Sequence, residues 1–429
     1  MVKNNSIKSD FFNKERLYNY VKKFSFPRLA GTEGERKAVE LTVKSFKEIG
    51  FDDAQIQREP FEFSDFYSTA LIKLVMMVSL IFMLIIVLFT YINPFIGIGL
   101  IGGMVILVYL VFRGIKHPET PGFWGKYYGT TFKATNVFIK IPVKSKPQKN
   151  AGNIIVSAHI DSKSQTLNTF WRVLAYRIWL NGGILLGVVY IIFLTYQILR
   201  FFSAYFLEQL AFIEKIIIFL NISLWILTAL VSSSNILLMF LNTHNKSPGA
   251  LDNASGMAIV FELSSYFKDH SLNNFNLWFC QFSAEELGTM GSRIFVNNHE
   301  HQFNKEKVFQ LNFDMVSMAG HKRNRVEYMK SYGVFPRKII APILSNYLEK
   351  AASEETLNMF GFHLTTGAHT DTVPFHLRGY EAIDIVTIAS ARYTHSKTDT
   401  PDKVDPQVLF EACKIAKKTI IMLDNDYEF

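Results

Sequence analysis

The chain has little cysteine and little charge for its length. Only two of its 429 residues are cysteine, Cys280 in an apparent core strand and Cys413 in an apparent helix. Two such residues exclude a fold held by a disulfide framework, and they fit a reducing compartment. Charged residues make up 19% of the chain, a little below the average of soluble domains. No arginine-rich or aromatic nucleic-acid motif is present, and we expect no nucleic-acid partner.

The low fraction of charged residues reflects four long apolar runs, which come in two pairs. They cover residues 70–90 and 95–112 in the first pair and residues 180–202 and 216–241 in the second. Each is close to the roughly 20 residues that a helix needs to cross the hydrocarbon core of a membrane. Buried core helices are the alternative, but the length and purity of the runs and their Tyr, Trp and Arg flanks favour membrane spans. We therefore expect four transmembrane helices in two hairpins within a lipid bilayer.

Two hairpins leave every polar segment on one side of the membrane, and the basic residues beside the spans indicate which side. The polar side carries Lys73, Arg113, Lys116, Lys126, Lys163, Arg172, Arg177 and Lys246. The opposite loops offer Arg200 and Lys215. Because cytoplasmic loops are enriched in lysine and arginine, we expect the polar domain to be cytoplasmic. The net charge of +8 suits a protein at a membrane surface.

Outside the apolar runs, strand and helix patterns alternate along the chain. The patterns predict helices over residues 14–23, 36–49, 256–268 and 406–424, and strands over residues 54–63, 135–143, 153–160, 277–282, 308–313 and 383–388. Such alternation predicts an α/β fold with a mostly parallel mixed sheet sandwiched by helices. The expected boundaries give one polar domain in three parts, residues 1–68, 114–170 and 242–429. Residues 69–113 form the first hairpin, and residues 171–241 form an interfacial segment and the second hairpin.

Several residues that can bind metals lie where predicted strands or loops end. His159 and Asp161 close one strand, and their spacing of two puts both side chains on the same face. A histidine with a carboxylate at that offset suits a metal ligand and its orienting partner, although most such pairs have no function. Asp252 lies in a Gly/Pro/Asn-rich loop before a helix, where a helix cap is the ordinary interpretation. Asp314 ends another strand.

Two adjacent glutamates, Glu285 and Glu286, follow an apolar strand. Adjacent carboxylates repel each other and are costly to bury unless a positive charge lies nearby. His395 lies in a later polar loop, and ligand sites of α/β sheets gather at such strand ends and loops. Two zinc ions need about three protein ligands each, with one carboxylate shared. Five residues would suffice, namely His159, Asp252, Glu286, Asp314 and His395, and Glu285 would remain to take a proton from water. The residues alone do not assign which carboxylate does which task.

Six motifs occur in a fixed order along the chain. They read "PRLAGTEGE", "SAHIDS", "SPGALDNASG", "AEELGTMGS", "NFDMVS" and "HSKTDTPDKVD". In this order they resemble metallopeptidase family 28, of the bacterial leucyl aminopeptidase type. Apart from the two apolar pairs, the resemblance covers most of the chain from Arg28 to Gln407. It implies a zinc-exopeptidase-like fold and an enzyme that hydrolyses peptides with two zinc ions.

The resemblance also implies a role for each candidate residue. One zinc ion would be held by His159, Asp252 and Asp314 and the other by Asp252, Glu286 and His395, with other divalent metals possible. Glu285 would be the general base, and Asp161 would orient His159. The family further suggests a cis peptide bond between Asp252 and Asn253.

One motif departs from the family pattern. Family members often carry Ser-Asp-His before Pro-Phe in a loop on the substrate side, whereas this chain reads "HTDTVPF" from His369 to Phe375. Asp371 is kept, and Thr372 stands where the histidine would fall. His369 lies two residues upstream, either as a replacement or as a surface residue. We expect Asp371 and His369 on the substrate side, while the threonine leaves the substrate class open.

The leading interpretation is a membrane-anchored zinc aminopeptidase. A glutaminyl-cyclase-like acyl transferase with one zinc ion is a second, because that branch shares the ligand set. A receptor or assembly subunit with an inactive peptidase fold is a third, although no ligand is missing. The second apolar pair leaves the polar domain between Asp161 and Asp252, so we expect the catalytic cleft to face the membrane and to accept peptide ends near its surface. The alternative is that the hairpins only anchor the domain.

Overall fold

The chain divides by its internal contacts into two units. The structure, a computed structural model, describes residues 11–115, 117–120, 129–144, 147, 151–167, 169–207, 211–321, 325–365 and 368–427, with the backbone alone at 69, 111, 112, 114, 115, 203–207 and 211–214. The sheet unit comprises Met1–Ser64, Thr130–Asn168 and Thr243–Phe429, and the helical unit comprises Asp65–Gly129 and Thr169–Asn242. Lys116 and Lys126, on which the topology prediction draws, lie outside the described residues.

A mixed sheet of nine strands forms the centre of the sheet unit. All strands of the described residues, including β4 and β5 outside this sheet, are β1 (Ile56–Ser64), β2 (Thr131–Ile141), β3 (Gly152–His159), β4 (Ser164–Gln165), β5 (Thr243–His244), β6 (Phe275–Phe282), β7 (Val308–Phe313), β8 (Val326–Tyr332), β9 (Lys338–Ile339), β10 (Met359–Leu364) and β11 (Glu381–Ile385). The order is β1-β2-β6-β3-β7-β11-β8-β10, with β9 beside β8 and with β4 and β5 paired separately. The middle strands β6, β3, β7 and β11 are parallel, whereas β1 and β2 extend the sheet antiparallel. The predicted mixed α/β sheet is confirmed.

Helices flank the sheet and make up the helical unit. They are α1 (Lys14–Phe24), α2 (Glu33–Ile49), α3 (Thr69–Ile92), α4 (Pro94–Ile115), α5 (Thr169–Leu207), α6 (Ala211–Met239), α7 (Ser255–Lys268), α8 (Met290–His299), α9 (Pro342–Glu354), α10 (Val373–His376) and α11 (Pro406–Asp426). Local sequence sets several ends. The Asn13 side chain caps α1 by accepting from the N–H groups of Glu15 and Arg16. Helix α2 ends at Gly50, whose φ of 100° disfavours residues with a Cβ.

Successive residues of the buried strands enter two different cores, one on each face of the sheet. In β6, Phe275, Leu277 and Phe279 belong to the first core, and Trp278, Cys280 and Phe282 belong to the second. The first core includes residues of α1, α2, α7, α9 and α11, and the second includes residues of α8 and α10. This alternation follows from the period of two along a strand. The sheet is therefore apolar on both faces and lies between helices, as predicted.

Among the described residues of the helical unit, three helices are long and apolar enough to cross a membrane. They are Ala70–Ile92, Thr169–Phe202 and Lys215–Met239, and Pro94–Leu110 is a shorter apolar helix. Inside the unit, Phe193 and Leu224 are fully buried, and the hydroxyl groups of Thr90 and Tyr190 lie 2.6 Å apart. Three apolar helices suggest membrane association, and the count of four spans stays a prediction.

The close approach of α7 to the end of β7 depends on a glycine. A Cβ added at Gly256 would lie 2.2 Å from the carbonyl oxygen of Phe313 and 2.5 Å from Asn253 Oδ1. We expect Gly256→Ala to push the helix from the strand and lower the melting temperature of the detergent-solubilised protein by roughly 5 °C or more. Gly187→Ala is the control, because a Cβ there has no neighbour within 4 Å, and it should leave the melting temperature unchanged or slightly raised. Equal melting temperatures for Gly256→Ala and the parent would contradict this account.

Candidate metal centre

Three neighbouring strands bring the candidate ligands to one edge of the sheet. Strand β3 ends at His159, β7 is followed by Asp314, and the loop after β6 carries Glu285 and Glu286. Because β6, β3 and β7 are parallel neighbours, their carboxyl ends lie side by side. The segment before α7 adds Asp252 and the loop after β11 adds His395 (both buried).

The two histidines approach different oxygens of one carboxylate. His159 Nε2 lies 3.1 Å from Asp252 Oδ1, and His395 Nε2 lies 3.0 Å from Asp252 Oδ2. Asp314 Oδ1 lies 3.4 Å from His159 Nε2, and Glu286 Oε2 lies 3.1 Å from His395 Nε2. The five residues thus form two groups of three that share Asp252. Within each group, the potential ligand atoms lie within 4.8 Å of one another.

The chemistry of these groups suits a divalent metal ion. All five side chains are buried. Among the described residues, His159 Nε2 and Asp314 Oδ1 have no hydrogen-bond partner, although buried polar atoms normally have one. Imidazole nitrogens and carboxylate oxygens are ordinary zinc ligands, and three protein ligands leave a position open for water or substrate. Each group could therefore hold one metal ion such as zinc.

Glu285 belongs to neither group but lies beside the first. Its Oε2 is 4.0 Å from His159 Nε2. Burial raises the pKa of Glu285 well above its usual range, and the neighbouring carboxylates of Glu286 and Asp314 act in the same direction. Burial also raises the pKa of Asp314, to about 6. Ionised acids in this pocket therefore require positive charge nearby, which a metal ion would supply.

Glu286 has a cation of this chain beside it. Lys163 Nζ lies 2.8 Å from Glu286 Oε2, and the Lys163 backbone N–H donates to Glu286 Oε1 at 3.2 Å. Burial and Asp252 would raise the pKa of Glu286, but His395 and Lys163 more than offset them and lower it to about 2. Glu286 is therefore ionised at neutral pH, as a metal ligand must be.

Asp161 contacts both the first histidine and the glutamate loop, but through different atoms. His159 Nδ1 lies 3.0 Å from the backbone carbonyl oxygen of Asp161 and 3.5 Å from its carboxylate. The carboxylate accepts the backbone N–H groups of Glu285 at 3.1 Å and Glu286 at 3.2 Å. The main chain of Asp161 thus contacts the imidazole that its side chain was expected to orient. The side chain also fixes the loop that carries the two glutamates, and its role in orienting His159 stays a prediction.

A fully buried arginine, which the sequence reasoning did not single out, holds two of the ligand segments together. The Arg28 guanidinium donates to the carbonyl oxygens of Ile160 (Nε), Pro248 (Nη1, 2.6 Å) and Gly249 (Nη2, 2.8 Å). Ile160 follows the ligand at the end of β3, and Gly249 precedes Asp252. Burial lowers the pKa of Arg28 to about 10, so that it remains charged at neutral pH. The sequence feature that could have pointed to Arg28 is its position in the motif "PRLAGTEGE".

Asp399 fixes the segment that carries Asp252 from the opposite direction. Its carboxylate accepts the backbone N–H groups of Leu251 at 2.6 Å and Asp252 at 3.2 Å. Burial and the charge of Asp252 raise the pKa of Asp399 to about 8. The peptide bond between Asp252 and Asn253 is cis, as the family resemblance suggested. Asp399 was also missed, although it lies in the motif of His395.

A second buried acid supports the glutamate loop. Glu35 Oε1 accepts the Ser283 hydroxyl at 2.9 Å and the backbone N–H of Thr135 at 3.1 Å. Burial raises the pKa of Glu35 to about 7. Glu35 therefore links α2 and β2 to the residue that follows β6.

The loop from His369 to Phe375 places Thr372, Asp371 and His369 in different surroundings. Thr372 is buried, and its hydroxyl donates to Asp384 Oδ2 at 3.0 Å, while Thr370 donates to Asp384 Oδ1 at 2.8 Å. Thr372 is thus occupied in a buried network. Asp371 is fully buried, and burial raises its pKa to about 7, with His159 acting in the opposite direction. His369 is exposed.

The fold is that of known aminopeptidases. The aminopeptidase of Aneurinibacillus sp. strain AM-1 superposes with a TM-score of 0.53 over 96% of this chain and 93% of its own, at 14% identity. A zinc aminopeptidase of Bacillus subtilis gives 0.53 over 96% and 95%, also at 14% identity. A glutaminyl cyclase from an Acidobacteriales bacterium gives 0.52 over 97% and 96%, at 15% identity. At such identities the likeness concerns the fold alone.

Sequence similarity is concentrated after the second apolar pair. Residues 236–420 match the model of peptidase family M28. Aminopeptidase YwaD of Bacillus subtilis (strain 168) is 28% identical over 142 residues, which cover 33% of this chain and only 29% of that relative. The resemblance to this metallopeptidase family is confirmed. His159 and Asp161 lie outside residues 236–420, and the fold alone brings them to the other ligands.

The contacts of Asp399 predict that it controls metal binding without being a ligand. In Asp399→Asn the side chain has one acceptor oxygen instead of two and can hold only one of the two N–H groups, so the Asp252 segment is held less firmly. We expect zinc to bind about 10- to 100-fold more weakly, measured by competition with a coloured chelator. Asp402→Asn is the matched control from the same motif, because its side chain is 65% exposed and pairs with Lys403. Equal zinc affinity for both variants would refute this role.

Proposed function

We propose that the chain is a membrane-anchored, zinc-dependent exopeptidase, and specifically an aminopeptidase that uses two metal ions. The observation that carries the proposal is the pair of buried three-residue groups that share Asp252. His159, Asp252 and Asp314 would hold one ion, and Asp252, Glu286 and His395 would hold the other. The family match and the aminopeptidase relative support a hydrolase of the metallopeptidase class.

The ions, when bound, would supply Lewis-acid activation of a water molecule and of the scissile carbonyl group. Glu285 is the acid of the pocket outside both groups, and it takes the proton from the attacking water. Burial raises the pKa of Glu285, which supports a role in holding this proton, and Glu285 then delivers it to the departing amine. Asp161 keeps the carboxylates of Glu285 and Glu286 in register by holding both of their backbone N–H groups.

Asp371 and His369 are assigned to the substrate side of the site. Asp371 is buried close enough to His159 and Asp314 for their charges to act on its pKa. A carboxylate there suits the positively charged amino terminus of a peptide. His369 is exposed, and Thr372 is engaged with Asp384.

Glutaminyl-cyclase-like acyl transfer is the second candidate, because solved cyclases share this fold. The aminopeptidase relative favours hydrolysis. The complete set of five candidate ligands and the retained Glu285 disfavour an inactive receptor, whose fold would not need a buried acid beside the ligands.

Four membrane spans and a cytoplasmic sheet unit remain part of the proposal, and the pairing of strands supports the even number. Strand β1 precedes α3 and β2 follows α4, yet the two strands pair along their whole length. Both ends of this segment therefore lie on one side of the membrane, and α3 can cross only if α4 also crosses. Helix α4 has 22 residues, or about 33 Å at 1.5 Å per residue, which spans a hydrocarbon core. The pairing of β4 with β5 requires the same of α5 and α6.

Peptides presented near the membrane surface are the proposed substrates. The chain passes from Asp161 to the start of α5 at Thr169, and from the end of α6 at Met239 to Asp252. Only short segments of chain therefore separate Asp161 and Asp252 from the proposed spans.

Removing the proposed base should abolish hydrolysis without removing the metal. We expect Glu285→Gln in detergent to be about 10²- to 10⁴-fold slower than the parent on free aminoacyl peptides, with unchanged zinc content. Glu354→Gln is the control, since Glu354 is a surface residue paired with Lys418. Equal rates for Glu285→Gln and the parent would refute the assignment of Glu285 as the general base. Activity only on amino-blocked peptides would remove the aminopeptidase assignment, and cyclisation of amino-terminal glutamine without hydrolysis would favour the cyclase.

Membrane topology is testable because both natural cysteines are buried. An impermeant maleimide should label Ile92→Cys, at the end of α3, in intact cells. It should label Leu377→Cys, in the sheet unit, only after the membrane is permeabilised. Both positions are exposed, at 75% and 55%. Labelling of Leu377→Cys in intact cells would place the sheet unit outside.

A further inference from the structure

Lys163 lies directly against one of the five candidate metal ligands. Its ammonium nitrogen is 2.8 Å from Glu286 Oε2, and it also donates to the Glu286 carbonyl oxygen at 2.8 Å. The backbone N–H of Lys163 donates to the other carboxylate oxygen, Oε1, at 3.2 Å. The Lys163 side chain is only 11% exposed. These contacts therefore hold the ammonium group against Glu286 and not in solvent.

The oxygen atom that the ammonium group contacts also faces the other residues of the second group. Glu286 Oε2 lies 3.1 Å from His395 Nε2, which in turn lies 3.0 Å from Asp252 Oδ2. A carboxylate oxygen has two lone pairs, so it can bind a metal ion and accept a hydrogen bond at the same time. Lys163 thus leaves the second group able to bind an ion but places a positive charge beside it.

The first group has no such cation. Among the described residues, Asp252 and Asp314 form ion pairs only with histidines. Glu285 adds a third carboxylate there, with its Oε2 4.0 Å from His159 Nε2. An ion in the first group would therefore meet three carboxylates and no ammonium group. An ion in the second group would meet two carboxylates and one ammonium group.

This difference in charge favours binding of a divalent ion to the first group. Repulsion between an ammonium group and an ion bound to the same oxygen atom corresponds to at least about tenfold in affinity at the effective dielectric constant of a protein. The buried charge of Arg28 acts on Glu286 and on the shared Asp252, so it does not offset the difference. The two groups have similar ligands but unequal electrostatic surroundings.

We propose that Lys163 makes the second group the weaker and exchangeable metal site, while His159, Asp252 and Asp314 hold their ion firmly. The inference rests on the two-ion part of the proposed function and adds regulation of that same site. Hydrolysis that needs both ions follows the concentration of free zinc, while the first ion stays bound. When the second ion is absent, the ammonium group neutralises Glu286 and keeps the empty group assembled.

The test is a zinc titration of the full-length protein in detergent after removal of bound metal, by competition with coloured chelators at fixed pH and ionic strength. Lys163→Met keeps the length of the side chain and removes its charge. Lys163→Gln, which can still donate to Glu286, is a second uncharged variant. Lys330→Met is the matched control, because Lys330 forms a separate pair with Glu349 at 2.7 Å.

We expect the parent to bind two zinc ions with dissociation constants about 100-fold apart. Each uncharged Lys163 variant should tighten the weaker step about 10- to 100-fold and change the tighter step less than about threefold. Lys330→Met should match the parent. Two ligand variants assign the steps to the groups: the single step left in Asp314→Asn should be the weaker one, and the single step left in Glu286→Gln should be the tighter one.

Two steps of equal affinity in the parent would overturn the inference, whether or not the Lys163 variants fold. A weaker step that stays unchanged in both Lys163 variants would also overturn it, as would the reverse assignment of the two steps. A single zinc ion bound by the parent and by the Lys163 variants alike would refute the two-ion part of the proposed function itself.

Discussion

Mutual repulsion among four carboxylates in one buried pocket is the constraint on which the rest of the sheet unit depends. Asp252, Glu285, Glu286 and Asp314 lie near two histidines, Lys163 and the buried Arg28, and burial works against the ionised form of each acid. Without further positive charge, the acids must share protons or separate. The arrangement is stable in its ionised form only around cations, and this requirement links the fold to its chemistry.

Hydrogen bonds between main-chain groups and buried polar side chains hold much of this pocket together. Asp161 binds the loop of the glutamates, while Arg28 and Asp399 bind the segment of Asp252 from two sides. None of the three needs to touch a metal ion. Their charges are satisfied by peptide dipoles, so each adds rigidity to the ligand segments without competing for the ion.

The five residues of the two groups could be predicted from the sequence, whereas most of the residues that support them could not. Strands β3, β6 and β7 are buried on both faces and rich in apolar residues, so the histidine or acids at or just after their ends stood out. Strands β8 and β10 were missed because they are partly exposed and contain charged residues or glycine. The acceptors of Arg28 in the ligand segments lie more than a hundred residues away in the chain, and no local pattern indicates such a pairing.

The guanidinium of Arg28 also sets an order of events during synthesis. Its acceptors include Ile160, made after the first two apolar helices, and Pro248 and Gly249, made after all four. A domain that folds as it leaves the ribosome normally consolidates from its amino terminus. Here the early arginine cannot reach Pro248 and Gly249 until the last apolar helix has been translated. Completion of the pocket therefore follows translation of the apolar segments. A nascent chain stalled before residue 248 would contain β1 to β5 but would lack Asp252 and the later residues of the pocket.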